Sequence, residues 1–288
     1  LDLMRRRREM QWAARITSAL EEGRFELYRQ AILPLQADEA GLHYEILLRM
    51  RDEQGRVVTP DNFIAAAERY GITPSIDRWV VENTFRWLVS EADERDKLAM
   101  CSINLSGQSL TDDKFLPFVI DIMHRTGIDP RRICFEITET AAIASYSQAT
   151  RFIQALREIG CRFALDDFGT GLSSFGYLKH FPIDFLKIDG SFVKEILRDP
   201  IDREMVRSIN EIGHLTNKKT IAEFAENEEI IAMLRSLEKE AYALAGRKNG
   251  GVKRPAASSD GCVRECGNLV LKRRRAKGRK RLTVADEG

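Results

Sequence analysis

Residues 133–168 read ICFEITETAAIASYSQATRFIQALREIGCRFALDDF. A short apolar run closes in acidic residues, a segment at helical spacing covers 145–159, and a second apolar run closes in Asp166-Asp167. Runs this short fit buried strands, and the interposed helix is long enough for the crossover that joins parallel neighbours. Working outward, the same theme predicts strands at 25–35, 43–50, 99–106, 133–140, 162–168, 185–189 and 219–226. Helical segments fall between most of them, at 60–70, 76–90, 112–126, 145–159, 201–215 and 227–237, and 5–23 predicts a further helix ahead of the first strand. Such alternation implies a mostly parallel sheet covered by helices. A (β/α)8 barrel is the economical closure. An open doubly wound sheet competes with it, but no Gly-rich phosphate turn follows an early strand. The eighth strand is the weak point, since after Leu237 only AYALAG at 241–246 offers a candidate before the composition turns to Gly, Lys, Arg, Ser and Ala.

The chain has 288 residues, 43% of them apolar and 31% charged. That length suits a single α/β barrel of about 250 residues, and the composition excludes disorder along most of it. No apolar run approaches the roughly 18 residues of a membrane span, and no signal peptide opens the chain. A cytoplasmic location is expected, either free or as the cytoplasmic part of a membrane-anchored parent. Cys101, Cys134 and Cys161 sit in apolar runs where reduced thiols are usual, and Cys262 and Cys266 lack the companions of a zinc site. Net charge is +1, but residues 247–288 carry +9, leaving −8 on residues 1–246. Body and tail are different materials. The chain begins at Leu1, and a fragment of a longer protein is expected. The domain plan is therefore a linker helix over 1–24, a barrel domain over 25–237, and a divergent, basic, disordered tail over 238–288.

Barrel enzymes place their chemistry at the C-terminal ends of strands. Polar residues in otherwise apolar runs there are Glu45, Asn104, Glu136, Asp166, Asp167, Lys187 and Glu223. Burying several carboxylates together costs several kcal/mol per ion unless a cation compensates, so a metal site or raised pKa values are implied. Oxygen donors without a His or Cys cluster favour Mg²⁺ or Mn²⁺ over zinc. Two such ions about 3.5–4 Å apart are a common device for phosphodiester hydrolysis. Lys187 adds a positive charge able to orient a water or hold a phosphoryl oxygen. Glu45 and Arg49 share one strand face, roughly 13 Å apart at about 3.3 Å per residue, so one end can hold metal while an Arg fork grips phosphate. Taken singly, each has a plainer reading: an acid at a strand end is commonly a helix cap or a rim group, and a Lys in a strand an edge device.

The same residues lie in YEILLR (44–49), INLS (103–106), FEITET (135–140), DDFGTG (166–171), LKIDGSFV (186–193) and AEFAENEE (222–229). In order and approximate spacing these six segments resemble the EAL-domain family of cyclic di-GMP phosphodiesterases, over about residues 10–237. The resemblance implies a TIM-like (β/α)8 barrel with one antiparallel strand, two Mg²⁺ or Mn²⁺ ions, and hydrolysis of cyclic di-GMP to pGpG in bacterial second-messenger signalling. It implies that Glu45, Asn104, Glu136 and Asp166 hold the first ion, with Asp167 completing the second site. It makes Lys187, Glu223 and Glu45 the catalytic set, Lys187 orienting the attacking water and Glu223 serving as a further metal-site or general-base carboxylate. Gln30 and Arg49 match substrate-contacting positions, and Glu139 matches the carboxylate that braces the DDFGTGLSS loop. Partners implied are cyclic di-GMP, a second copy of the chain in a homodimer, and an upstream sensory or GGDEF-type domain; no specific nucleic acid is expected.

This chain departs from the family pattern at several places. Ile46 replaces the Ala of the name-giving motif, Ala31 a Pro, and Phe224 a Gly beside Glu223. After Ser236 no DxxQGY-like segment appears, so the last strand and helix are expected to be altered or missing. A shifted reading frame, a genuine divergent extension and a basic arm for polyanions are the competing accounts of the tail. The alternative to an active enzyme is an EAL-like module that binds cyclic di-GMP or dimerises without hydrolysis.

Overall fold

The computed structural model describes residues 2–35, 41–171, 175–248, 269–272 and 280–281. The chain forms two compact units, one of residues 1–31, 41–163 and 276–288 and one of 32–40 and 164–275. The strands are β1 (Phe25–Pro34), β2 (Leu42–Arg51), β3 (Val57–Val58), β4 (Leu98–Asn104), β5 (Ile133–Thr138), β6 (Arg162–Phe168), β7 (Phe185–Ile188), β8 (Lys219–Ala222), β9 (Leu269–Lys272) and β10 (Lys280–Arg281). All seven strands expected from the sequence form, and the mixed α/β alternation with them.

In the first unit β2 pairs in parallel with β4 and β4 with β5, while β3 flanks β2 as an antiparallel edge. Helices Thr73–Ser90, Phe115–Thr126 and Tyr146–Glu158 bury their apolar stripes here. An aromatic chain ties the last two to the sheet: Phe163 lies 5.7 Å from Phe135 and 6.2 Å from Phe152, and Phe152 lies 6.1 Å from Phe115. Each such ring buries about 150–250 Å² and dominates the local packing energy. The leading helix, Asp2–Glu21, buries Ile16 and Ala19 completely.

In the second unit β6, β7, β8 and β9 run parallel, and the last residues of β1 pair antiparallel with β9. Helix Pro200–Leu215 packs closely on β8, where a Cβ on Gly213 would meet Thr220 Cγ2 at 2.8 Å. Glycine is required at that crossing, and beneath it Thr220 Oγ1 donates to Asn210 Oδ1 at 2.7 Å.

Strands expected to run to 106, 140 and 226 stop earlier because their polar ends do other work. Ser106 and Thr138 accept backbone N–H groups of Ser109 and Ala141 and open the short helices Gly107–Thr111 and Glu139–Ala144. Phe224 turns the chain out of the strand direction with φ of +54°. The weak candidate for the eighth strand, 241–246, lies inside helix Glu228–Lys248. The place beside β8 is taken instead by Leu269–Lys272. The last strand is therefore altered, drawn from far along the chain. The rest of the expected tail, 249–268, 273–279 and 282–288, lies outside the described residues. Among those described, no helix is long and apolar enough to cross a membrane.

Candidate metal and phosphodiester site

The second unit assembles its site from three strand ends. Along β6 and β7, Ala164 faces Phe185, Leu165 faces Leu186 and Phe168 faces Ile188. Asp166 and Asp167 together therefore oppose the single residue Lys187, which is a β-bulge. Asp167 absorbs the extra residue in a left-handed conformation, φ +54°, and its N–H donates to Asp166 Oδ1 at 3.0 Å. Regular pleating would have sent two adjacent carboxylates to opposite faces. The bulge instead lets Asp166, Asp167 and Glu223 each present an oxygen within 4.8 Å of the others.

Lys187 is fully buried, with Nζ 2.7 Å from Asp166 Oδ1 and 3.1 Å from Glu223 Oε1. It is the local counter-charge of the cluster. Burial, then repulsion from Asp166, Glu223 and Asp189, pushes the Asp167 carboxyl up to about 6, with Lys187 pulling the other way. Three hard oxygen donors at this spacing, strained by their own charge, fit a divalent cation that takes oxygen ligands. Asp189 has a different task, accepting the Ser191 N–H at 2.8 Å as the cap of helix Gly190–Lys194.

The first unit carries a second set. Glu45 on β2 is 2% exposed, and its Oε1 accepts Asn104 Nδ2 at 2.9 Å. Asn104, the last residue of β4, pairs in register with Glu136 of β5, which is fully buried. Three oxygen-bearing side chains thus stand on three successive strands. Gln30 on β1 is 8% exposed and Arg49 on β2 is 7% exposed. The Arg49 guanidinium is oriented by donation to the Leu48 carbonyl at 2.5 Å and lies 5.9 Å from the Tyr28 ring centre. Glu139 is buried at the start of its short helix. In the loop it is expected to brace, Leu172, Ser173 and Ser174 lie outside the described residues, while Thr170 Oγ1 donates to the Asp167 carbonyl at 3.0 Å.

Beside this second set opens a cavity of about 280 Å³, walled by Ile46, Leu48, Ile64 and Val80 and reached by Arg49 and Asn104. A mostly apolar hollow with a few convergent polar groups is what a flat, polar-edged ligand needs. Sequence reasoning missed this cavity and missed Asp77, which also lines it. The available signal was an acid in the apolar stripe Ile76, Val80, Val81, Phe85, Leu88.

Comparison with known proteins places these observations. Residues 13–243 match the EAL domain family. The chain is 39% identical over 236 residues to the cyclic di-GMP phosphodiesterase PdeB of Shewanella oneidensis, covering 82% of this chain and 28% of that protein. It is 37% identical over 225 residues to the cyclic di-GMP phosphodiesterase PdeF of Escherichia coli, covering 77% of this chain and 29% of that protein. The chain thus spans less than a third of the length of these curated relatives. Among solved structures it is similar to the FimX EAL domain of Pseudomonas aeruginosa bound to c-di-GMP, with a TM-score of 0.72 at 31% identity over 78% of this chain and 90% of that one. It is also similar to the PaMucR phosphodiesterase in complex with c-di-GMP, with a TM-score of 0.73 at 29% identity over 79% and 92%. These likenesses bear out the TIM-like α/β class.

Proposed function

The chain belongs to the EAL domain family, and from that premise we propose that it is a metal-dependent phosphodiesterase domain hydrolysing cyclic di-GMP to pGpG. The observation that carries this reading is the buried Lys187 bridging Asp166 and Glu223 beside Asp167. A lone acid at a strand end is an ordinary cap, whereas three carboxylates gathered by a bulge around a fully buried Lys form a site.

In this proposal Asp166 and Asp167 of the second unit hold Mg²⁺ or Mn²⁺ with Glu223 beside them; within the first unit, Glu45, Asn104 and Glu136 are the oxygen donors that the family's motifs assign to metal binding. When bound, such ions supply Lewis-acid charge and lower the pKa of a coordinated water. Lys187 keeps the Asp166 and Glu223 carboxylates turned toward one another and orients the attacking water through its N–H donors. Glu223 receives a proton as the water oxygen bonds to phosphorus and the bridging P–O bond breaks, its electron pair passing to the departing sugar oxygen, which takes a proton from solvent. Arg49 and Gln30 seat the phosphate and sugar of the dinucleotide, the Arg fork being suited to phosphate oxygens. Glu139 as the brace of the 166–174 loop, dimer formation and an upstream regulatory domain belong to the same proposal, supported by the family's motifs.

One observation favours a binding-only module: Phe224, next to Glu223, holds a left-handed conformation that bulky residues avoid. A single assay separates the readings. Cyclic di-GMP is incubated with the chain and Mn²⁺ or Mg²⁺, product is followed by chromatography, and melting is recorded alongside. We expect pGpG, abolished in Glu45→Ala; turnover unchanged by that substitution rejects the site, and a cooperatively melting chain that forms no product is a binding module.

A further inference from the structure

The helix Thr73–Ser90 buries an acid. Asp77 is 8% exposed among Ile76, Val80 and Val81, and one oxygen, Oδ2, accepts the Ser106 N–H at 2.8 Å, the Ser106 hydroxyl at 2.7 Å and the Ser109 hydroxyl at 2.6 Å. Burial raises its carboxyl above the usual range, and the Ser109 and Ser106 donors, with the nearby charge of Arg78, offset only part of that rise. Joining a helix to a loop does not require a buried carboxylate, whose desolvation costs several kcal/mol before its donors offset it. What the carboxylate grips is informative. Ser106 stands two residues after Asn104, and between them Leu105 N donates to the Glu136 carbonyl at 2.8 Å. The chain leaving Asn104 is thus held first to β5 and then to the Thr73–Ser90 helix. Asn104 in turn donates to Glu45 Oε1 at 2.9 Å.

We propose that Asp77 is a positioning residue: by gripping Ser106 it fixes the end of β4, and so sets the direction in which Asn104 presents its carboxamide beside Glu45. This rests on the reading of Asn104 and Glu45 as ligands of a divalent cation. Two further ties, Thr73 Oγ1 to Gln108 Oε1 at 2.7 Å and Arg78 to Asp112 at 2.6 Å, join the same helix to the same segment further along. They lie four and eight residues beyond Asn104, so the Asp77 grip is the one that reaches it. Outer partners that orient ligands commonly contribute about 10-fold or more in metal affinity.

The test is Mn²⁺ binding to the whole chain, measured by calorimetry or electron paramagnetic resonance, with melting recorded for each variant. Asn104→Ala sets the scale. Asp77→Ala should weaken Mn²⁺ binding by about 10-fold, and the isosteric Asp77→Asn by less, since its carbonyl oxygen can still accept from Ser106, though more weakly than a carboxylate. Ser109→Ala is the control for a structural role: it removes a donor from the same Asp77 oxygen but leaves Ser106 gripped, and should lower melting without changing Mn²⁺ affinity. If Asp77→Ala melts below the assay temperature, Asp77→Asn decides by the same comparison. Unchanged affinity in Asn104→Ala overturns the ligand reading itself. Affinity lost in Asn104→Ala but retained at Asp77, or lost equally in Ser109→Ala, overturns the positioning role.

Discussion

Replacing Lys187 with Met removes its charge and shortens the side chain by a single atom. Lys187 is fully buried, 2.7 Å from Asp166 and 3.1 Å from Glu223, with Asp167 sharing the same cluster. Without it, three carboxylates within 4.8 Å of one another lose their local counter-ion. Breaking a buried pair by removing one partner typically costs about 3–5 kcal/mol, and for a domain of this size each kcal/mol lowers the melting temperature by roughly 2–4 °C. The metal-free variant should therefore melt on the order of 10 °C below the parent. The sign then reverses with cation. The carboxylates of Lys187→Met have lost the Lys187 charge, so Mn²⁺ should raise its melting temperature by more than it raises that of the parent; a ligand at 100 times its Kd stabilises by about 2.7 kcal/mol. Turnover should nonetheless stay lost, because Mn²⁺ restores charge but not the Lys187 N–H donors that the proposal assigns to orienting the water. Differential scanning calorimetry with chelator and with Mn²⁺, beside the pGpG assay, reads all three. Equal Mn²⁺ shifts in the two proteins, or turnover in Lys187→Met, would refute the reasoning.

Two further outcomes follow from the same cluster. A Cβ on Gly190 would lie 1.9 Å from Phe224 Cδ2, and its two next contacts are also Phe224 ring atoms. Gly190→Ala should thus lose about 1–3 kcal/mol by overpacking, seen as a lowered melting temperature, and Phe224→Gly in the same chain should recover it; failure of that rescue places the clash elsewhere. Asp167 titrates near 6 in the folded chain against an ordinary value near 3.8. The fold therefore holds that proton more tightly than the unfolded chain does, and the ionised carboxylate destabilises the metal-free fold progressively as pH rises from 3.8 to 6. In chelator-treated protein, Asp167→Asn should match the parent near pH 4 and melt higher than it above about pH 6; a gap that does not change with pH contradicts the shift.

Much of the candidate site was legible because strands announce themselves by apolar runs and a polar residue inside such a run stands out. Glu45, Asn104, Glu136, Lys187 and Glu223 were each visible in that way. The sequence also shows a double Asp, but not that a bulge would bring both acids to one cluster, since backbone register depends on the partner strand. Asp189 shows the opposite error a reader could make: it ends an apolar run as conspicuously as Glu223 does, yet it caps a helix. The eighth strand was illegible for a different reason. Residues 241–246 carry Ala and Leu that serve a helix at least as well as a strand, and the partner of β8 is drawn from a short apolar run, 269–272, at the edge of a basic segment. Asp77 was passed over because a helical stripe was read only for its apolar members.

Three non-glycine residues among those described adopt positive φ: Asp167, Asn217 and Phe224. Asn217 follows helix Pro200–Leu215, where a left-handed residue ends many helices and Asn is suited to it. The other two flank the acidic cluster, one at the bulge and one directly after Glu223. Asp tolerates this region through its short polar side chain, but Phe does not, and the conformation costs about 1–2 kcal/mol. Something must offset that cost. The ring packs against the bare backbone of Gly190 and carries the Lys194 ammonium 4.1 Å from its centre, a cation–π contact contributing about 0.5–2 kcal/mol. Phe224, Gly190 and Lys194 thereby act as a clasp between the end of β8 and the helix after β7. A residue that departs from the family pattern next to Glu223 is consequently not loose in the structure. Its partners fix the residue next to Glu223, whose carboxylate lies 3.1 Å from Lys187, so the departure at Phe224 is compatible with the assembled cluster.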